Sequence, residues 1–222
     1  MHRVGHRAPL QSRDVDYSLL SHGLLVEEFV YGDDHTTVGL RVLTWTRADP
    51  RWLSTPSFGR AVRTDPDLLA GVTPTDRAGA ERAYRALAGG ELPDEAALRA
   101  RFVGHEPFAT APPLRLGPTD PPAGFREKRV YRVLFAKEPA GAAPGAGSRT
   151  VGGDHFSWDV RRVGRGVAWA LDVTVLLAGD TGDAGDADDA DDADDTVGPV
   201  LRDLTAAVRR HGLVPVTTER FA

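Results

Sequence analysis

The chain has 222 residues, of which 41% are apolar, with 24 Gly, 16 Pro and no Cys. This composition predicts one globular domain with long loops, and it excludes coiled coils and helical repeats, which contain little Gly and Pro. Without cysteine the chain has no disulfide, zinc ribbon, iron–sulfur cluster or thiol nucleophile.

The formal net charge of −5 comes from 27 basic and 32 acidic residues. Nine Asp lie within residues 179–196, so the rest of the chain has 23 acidic against 27 basic residues and is mildly basic. Twenty-five of the basic residues are Arg, which is typical of GC-rich coding. They form no clustered basic stripe, so we expect no nucleic-acid partner.

The sequence also lacks the signals of membrane insertion and export. No window approaches the ~20 consecutive apolar residues of a membrane span. Residues 1–7 lack the apolar stretch of a signal peptide. We therefore expect a cytoplasmic bacterial protein without a membrane partner.

The first half of the chain predicts a strand pair followed by helices. Residues 24–31 and 38–46 are strand-like and flank the turn 32–37. Residues 76–88 have apolar positions at helical spacing, and a second short helix is predicted to begin at 93–95. Six prolines in residues 105–124 predict an extended connector that covers a sheet edge.

The second half begins with residues 129–136, which are apolar on both faces and predict a central strand. The strongest signal is the alternation of apolar residues over 167–177, which with 155–162 predicts an antiparallel hairpin. Apolar residues at three- and four-residue intervals predict a helix over 197–208, followed by a last strand at 213–217.

Two segments have loop-like compositions. Residues 138–153 are rich in Gly, Ala and Pro, and residues 179–196 are rich in Asp. Neither composition buries enough apolar surface to offset chain entropy, so both predict mobile loops. The order of elements then predicts a single α+β domain over 1–222, with a mostly antiparallel sheet of five to seven strands and helices packed on one face.

Two turns repeat a Gly-Asp-His pattern at the start of a strand. The first contains Asp34 and His35, and the second contains Asp154 and His155. Imidazoles with adjacent carboxylates are suited to proton transfer at neutral pH, and they also suit metal binding. The alternative interpretation is ordinary turn chemistry, because turns select Gly and Asp. A shared catalytic site requires the two imidazoles to lie within ~10 Å and to border one cavity.

A second candidate site is a set of polar residues on the predicted hairpin and its neighbouring strand. Cross-strand ion pairing explains these charges without any ligand. If the face instead lines a pocket, four residues supply its polar groups and two supply its walls. The polar groups are Arg132, Asp159, Arg161 and Asp172, and the walls are Trp158 and Trp169.

The common catalytic signatures are missing from the sequence, including nucleophile elbows, phosphate-binding glycine loops and zinc-protease helices. The Asp-rich run does not match calcium-loop spacing. We predict neither a resident metal nor a cofactor. The favoured hypothesis is an accessory protein that binds a protein partner or self-associates. The alternative is a small enzyme that uses His and Asp for acid–base or metal-assisted chemistry on a small-molecule substrate.

Overall fold

The structure is a computed structural model that describes residues 15–108, 120–164, 168–179 and 196–221. The strands in these residues are β1 Asp16–Leu20, β2 Gly23–Tyr31, β3 Thr37–Thr46, β4 Leu53–Ser54, β5 Thr73–Thr75, β6 Glu106–Pro107, β7 Phe125–Ala136, β8 Gly147–Val151, β9 Asp154–Arg162, β10 Ala168–Ala178 and β11 Val214–Arg220. The helices are α1 Pro56–Thr64, α2 Pro66–Ala70, α3 Arg77–Ala88, α4 Glu95–Arg99 and α5 Val197–Arg209. None of these helices has the length and apolar character needed to cross a membrane.

The strands form two antiparallel sheets, which confirms the predicted α+β class. The N-terminal sheet has the order β4-β3-β2-β1-β5, and β6 also pairs with β3. The C-terminal sheet has the order β11-β7-β10-β9-β8. The sequence predicted one sheet of five to seven strands, whereas the described strands divide into sheets of six and five. The start of the predicted proline-rich connector covers a sheet edge as β6, and residues 109–119 lie outside the described residues.

The N-terminal sheet is buried on both faces. Leu24 and Val26 pack in one cluster with α3 and α4, whereas Leu25 and Phe29 pack in another with α1 and α2. This follows from the alternation of side chains along β2, which sends consecutive apolar residues to opposite faces. The N-terminal sheet therefore carries helices on both faces, and the expected one-sided packing holds for the C-terminal sheet.

The C-terminal sheet has its core between α5 and one sheet face. Leu171, Val173, Val175 and Leu177 are fully buried there, as the alternation in β10 predicts. On α5, the buried residues recur at three- and four-residue intervals, so the predicted amphipathic helix is confirmed. These buried residues on α5 are Val197, Gly198, Val200, Leu201, Leu204 and Val208.

One prediction of a loop is wrong in part. Within residues 138–153, Gly147–Val151 forms β8 and pairs with β9. A Cβ at Gly147 would lie 2.5 Å from the ring of Trp158, so the strand needs glycine there to approach the indole. The Gly-rich composition therefore reflects close packing at this position. Most of the predicted Asp-rich loop, residues 180–195, lies outside the described residues.

Polar contacts join the two sheets. Arg63 of α1 donates from Nε to the carbonyl of Pro215 in β11 at 2.8 Å. The backbone N–H of Thr218 donates to Oγ1 of Thr37 at 2.9 Å. Arg209, near the end of α5, forms an ion pair with Asp16 at 2.6 Å. These contacts place α5 beside the β1 side of the N-terminal sheet.

Candidate functional site

The turn between β2 and β3 is closed by its own polar groups. The N–H of Gly32 donates to the carbonyl of Thr36 at 2.9 Å, and Oδ1 of Asp34 accepts from the N–H and the hydroxyl of Thr36 at 3.1 and 2.6 Å. Partial burial opposes ionisation of Asp34, but the hydrogen bonds from Thr36 outweigh it and lower its pKa. The Asp34 carboxylate therefore holds its own turn together.

His35 reaches from this turn towards the first turn of α5. Its backbone has φ 62°, in the left-handed region that few residues other than glycine adopt. A Cβ at Gly198 would lie 3.2 Å from Cε1 of His35, so the imidazole packs closely on α5. The ring centroid of Tyr131 lies 6.3 Å away in an edge-on arrangement. His35 thus occupies the junction between the two sheets and α5.

A small cavity borders His35. Its volume is about 20 Å³, and Tyr31, Arg202 and Thr218 also line it. This volume is about that of one water molecule, which is too small for an organic substrate. The hydroxyl of Tyr131 is buried near this cavity, and burial raises the pKa of this phenol.

Asp154 connects β9 to the ends of the Asp-rich run. Its Oδ1 accepts from the N–H of Ala178 at 2.9 Å, and its Oδ2 accepts from the hydroxyl of Thr196 at 2.6 Å. Ala178 ends β10 and Thr196 precedes α5, so the Asp154 carboxylate contacts the residues on both sides of segment 179–195. Asp154 is 7% exposed. Its contacts give it a structural role.

His155 lies on the other side of the sheet. Phe156 belongs to the cluster under α5, and neighbouring side chains in a strand alternate, so His155 projects from the face opposite α5. The cavity beside His35 is not lined by His155. The structure therefore does not bring the two imidazoles to one cavity. Among the described residues no three His, Asp or Glu side chains are grouped closely enough to hold a metal ion.

The charged residues predicted on the hairpin form ion pairs across three strands. Arg132 donates two hydrogen bonds to Asp172, at 2.6 and 2.9 Å, and Arg161 donates two more, at 3.0 and 2.7 Å. Burial opposes ionisation of Asp172, but the two guanidinium groups outweigh it and lower its pKa. The guanidinium of Arg132 also lies 5.1 Å from the ring centroid of Phe221. This geometry matches the ion-pair interpretation of the sequence.

The two tryptophans do not form walls around these charges. Trp158 and Trp169 pack against the core on the α5 side of the sheet, whereas Asp172 projects from the opposite face. The prediction that they share a pocket is therefore wrong, because side-chain alternation separates them. Nε1 of Trp169 donates to Glu138 at 3.1 Å. Asp159 is exposed and lies opposite Asp172 in the strand register.

A second cavity is a cleft that the sequence did not reveal, which we call the arginine cleft. Its volume is about 510 Å³, and its lining includes Arg82 of α3 and both Arg209 and Arg210 at the end of α5. Thr75 and Asp76, which lie just before α3, form part of its other wall. This volume falls in the range of about 300–1,000 Å³ that is typical of small-molecule sites.

The three arginines differ in their surroundings. Arg209 is held by Asp16 and by the carbonyl of Tyr17, and its Nε is buried without an acceptor among the described residues. Arg82 and Arg210 are exposed and have no carboxylate partner in the part of the chain that the structure describes. The cleft thus presents guanidinium groups that are available for an anion.

Comparison with protein-family models, with curated proteins and with solved structures gives no significant match for this chain.

Proposed function

We propose that this protein is a non-catalytic accessory protein that binds a small anionic molecule in the arginine cleft. The observation that carries this proposal is the convergence of Arg82, Arg209 and Arg210 on one cleft of about 510 Å³. Two of these side chains have no acidic partner among the described residues. Guanidinium groups bind phosphate and carboxylate with paired hydrogen bonds, so an organic anion suits this lining.

The chemistry of the cleft favours binding over catalysis. Arginine stays protonated at any physiological pH and is a poor proton acceptor. None of the described His residues lines the cleft, and Oδ1 of Asp76 already accepts from the N–H of Gly79 at 2.7 Å. The alternative of a His/Asp enzyme has less support. His35 borders the small cavity beside α5, whereas His155 projects from the opposite face of the sheet, and Asp154 already accepts two structural hydrogen bonds.

A titration with inorganic pyrophosphate tests the proposal. We expect saturable binding in isothermal titration calorimetry, which weakens as salt rises. Each of the variants Arg82→Ala and Arg210→Ala should weaken binding about tenfold, the loss expected for one hydrogen-bonded charge contact. Arg85→Ala is the matched control, since Arg85 is exposed on the same helix and does not line the cleft.

Two results would contradict the proposal. One is the absence of pyrophosphate binding by the unmodified protein at low salt. The other is equal loss of binding in the Arg82, Arg210 and Arg85 variants, which would indicate general charge attraction. A protein partner, self-association and a cytoplasmic location remain predictions from the sequence, and size-exclusion chromatography with light scattering would measure self-association directly.

A further inference from the structure

We infer that the ligand of the arginine cleft is a non-aromatic anion that carries hydroxyl groups, the chemistry shared by sugar phosphates and hydroxy-carboxylates. This inference rests on the proposed function and adds the chemical class of the ligand. It follows from the side chains that accompany the arginines.

The first observation is that no aromatic ring of the described residues lines the cleft. Besides the three arginines and the residues Thr75 and Asp76, it includes only Pro74 and Ala206. Nucleobases and other flat rings are commonly held by stacking on aromatic side chains, which contributes about 1–3 kcal/mol per base. A base would find only guanidinium faces to stack on, and these belong to the groups that bind the phosphates, so we expect the base to add little to the affinity.

The second observation is a carboxylate among the guanidinium groups. Asp76 lines the cleft, and within the described part of the chain only its Oδ1 accepts a hydrogen bond, from the N–H of Gly79. An ionised carboxylate is an acceptor with about four lone-pair sites, so Asp76 keeps capacity for further donors. It repels a second anionic group and accepts a hydrogen bond from a hydroxyl. A ligand that places its anionic groups at the arginines and a hydroxyl at Asp76 makes favourable contacts with both kinds of side chain.

Thr75 adds a second hydroxyl-binding group next to Asp76. A Cβ at Gly79 would lie 2.0 Å from Oγ1 of Thr75, so the glycine lets this hydroxyl lie against the first turn of α3. A threonine hydroxyl both donates and accepts, which suits an alcohol of the ligand. Thr75 and Asp76 therefore supply the polar groups of the lining besides the arginines.

Two matched pairs of probes test this inference by calorimetry. The first pair is tripolyphosphate and ATP, which share the phosphate chain and differ by adenosine. We expect their affinities to agree within about threefold, since the base finds no aromatic side chain to stack on and the arginines are engaged by the phosphates. The second pair is citrate and tricarballylate, which differ by one hydroxyl. We expect citrate to bind about five- to tenfold more tightly, the contribution of one hydrogen bond to a charged group.

The variant Asp76→Asn provides the residue-level control. Asparagine caps helices as well as aspartate does, so α3 keeps its first turn. Removing the negative charge should tighten pyrophosphate binding severalfold and reduce the preference for citrate over tricarballylate. If Asp76 had only a structural role, the variant would not both raise the affinity for pyrophosphate and lower the preference for citrate.

The outcomes separate the two proposals. If pyrophosphate does not bind, the proposed function and this inference both fail. If pyrophosphate binds but ATP exceeds tripolyphosphate by tenfold or more, or citrate and tricarballylate bind equally, the inference on ligand class is wrong and the anion-binding function stands.

Discussion

The contacts of Asp154 predict that this residue stabilises the fold through the base of the Asp-rich run. In the variant Asp154→Ala the N–H of Ala178 and the hydroxyl of Thr196 lose their acceptor. Hydrogen bonds to a charged group contribute about 1.5–3 kcal/mol each, so the loss of two predicts a decrease of about 3–6 kcal/mol in the free energy of unfolding. A change of this size lowers Tm by about 6–24 °C in a domain of this length.

The assay is urea unfolding followed by circular dichroism, with a thermal scan on the same samples. Asp159→Ala is the matched control, since Asp159 lies on the same strand but is exposed, and its variant should change stability by less than about 0.5 kcal/mol. Thr196→Ala removes only the 2.6 Å hydrogen bond and should cost about half as much as Asp154→Ala. Equal stabilities of the Asp154 and Asp159 variants would refute the reasoning.

Three further predictions concern stability. Replacing residues 180–195 by a short Gly-Ser linker should lower Tm by only a few degrees, because loop closure changes by ~0.6 kcal/mol per doubling of length, and a larger loss in a thermal scan would contradict this. Arg63→Met should cost about 3–5 kcal/mol in urea unfolding, since it leaves Glu27 buried without its partner, and adding Glu27→Leu should recover part of the loss. Burial raises the pKa of Tyr17 from 10.0 to about 12. The phenol therefore ionises at lower pH in the unfolded state than in the folded state, so the free energy of unfolding falls as pH rises from about 10 to about 12. Tyr17→Phe should reduce the loss of this free energy between pH 8 and 11 by about 1.4 kcal/mol.

The sequence was most informative where one element has one buried face. The alternation in β10 and the helical spacing in α5 predicted both elements, because each packs against the other through a single apolar face. The pairing of strands is harder to predict, since apolar periodicity indicates which face of a strand is buried and not which strand lies beside it. The division into two sheets therefore did not follow from the sequence. The consecutive apolar residues Leu24, Leu25 and Val26 were the available signal that β2 is covered on both faces.

The arginine cleft was hidden for a similar reason. Arg82 and Arg209 are far apart in the chain, and they face one cleft only because α5 returns alongside β1 and α3. The spacing of basic residues along the sequence does not indicate that these two helices lie beside one cleft. The buried pair of Glu27 and Arg63 was also unforeseen, since each partner alone resembles an ordinary surface charge.

The repeated Gly-Asp-His pattern has different consequences in its two settings. In β9, Asp154 and His155 are consecutive strand residues, so the pleat sends the carboxylate towards α5 and the imidazole to the opposite face. In the turn before β3, the left-handed backbone of His35 breaks this alternation and lets the ring reach α5, while Asp34 bonds within the turn. One imidazole therefore lies on the α5 side of the C-terminal sheet and the other on the opposite side. A shared site for both would require the strand register of β9 to shift by one residue, which would expose Phe156 and bury the neighbouring polar side chains.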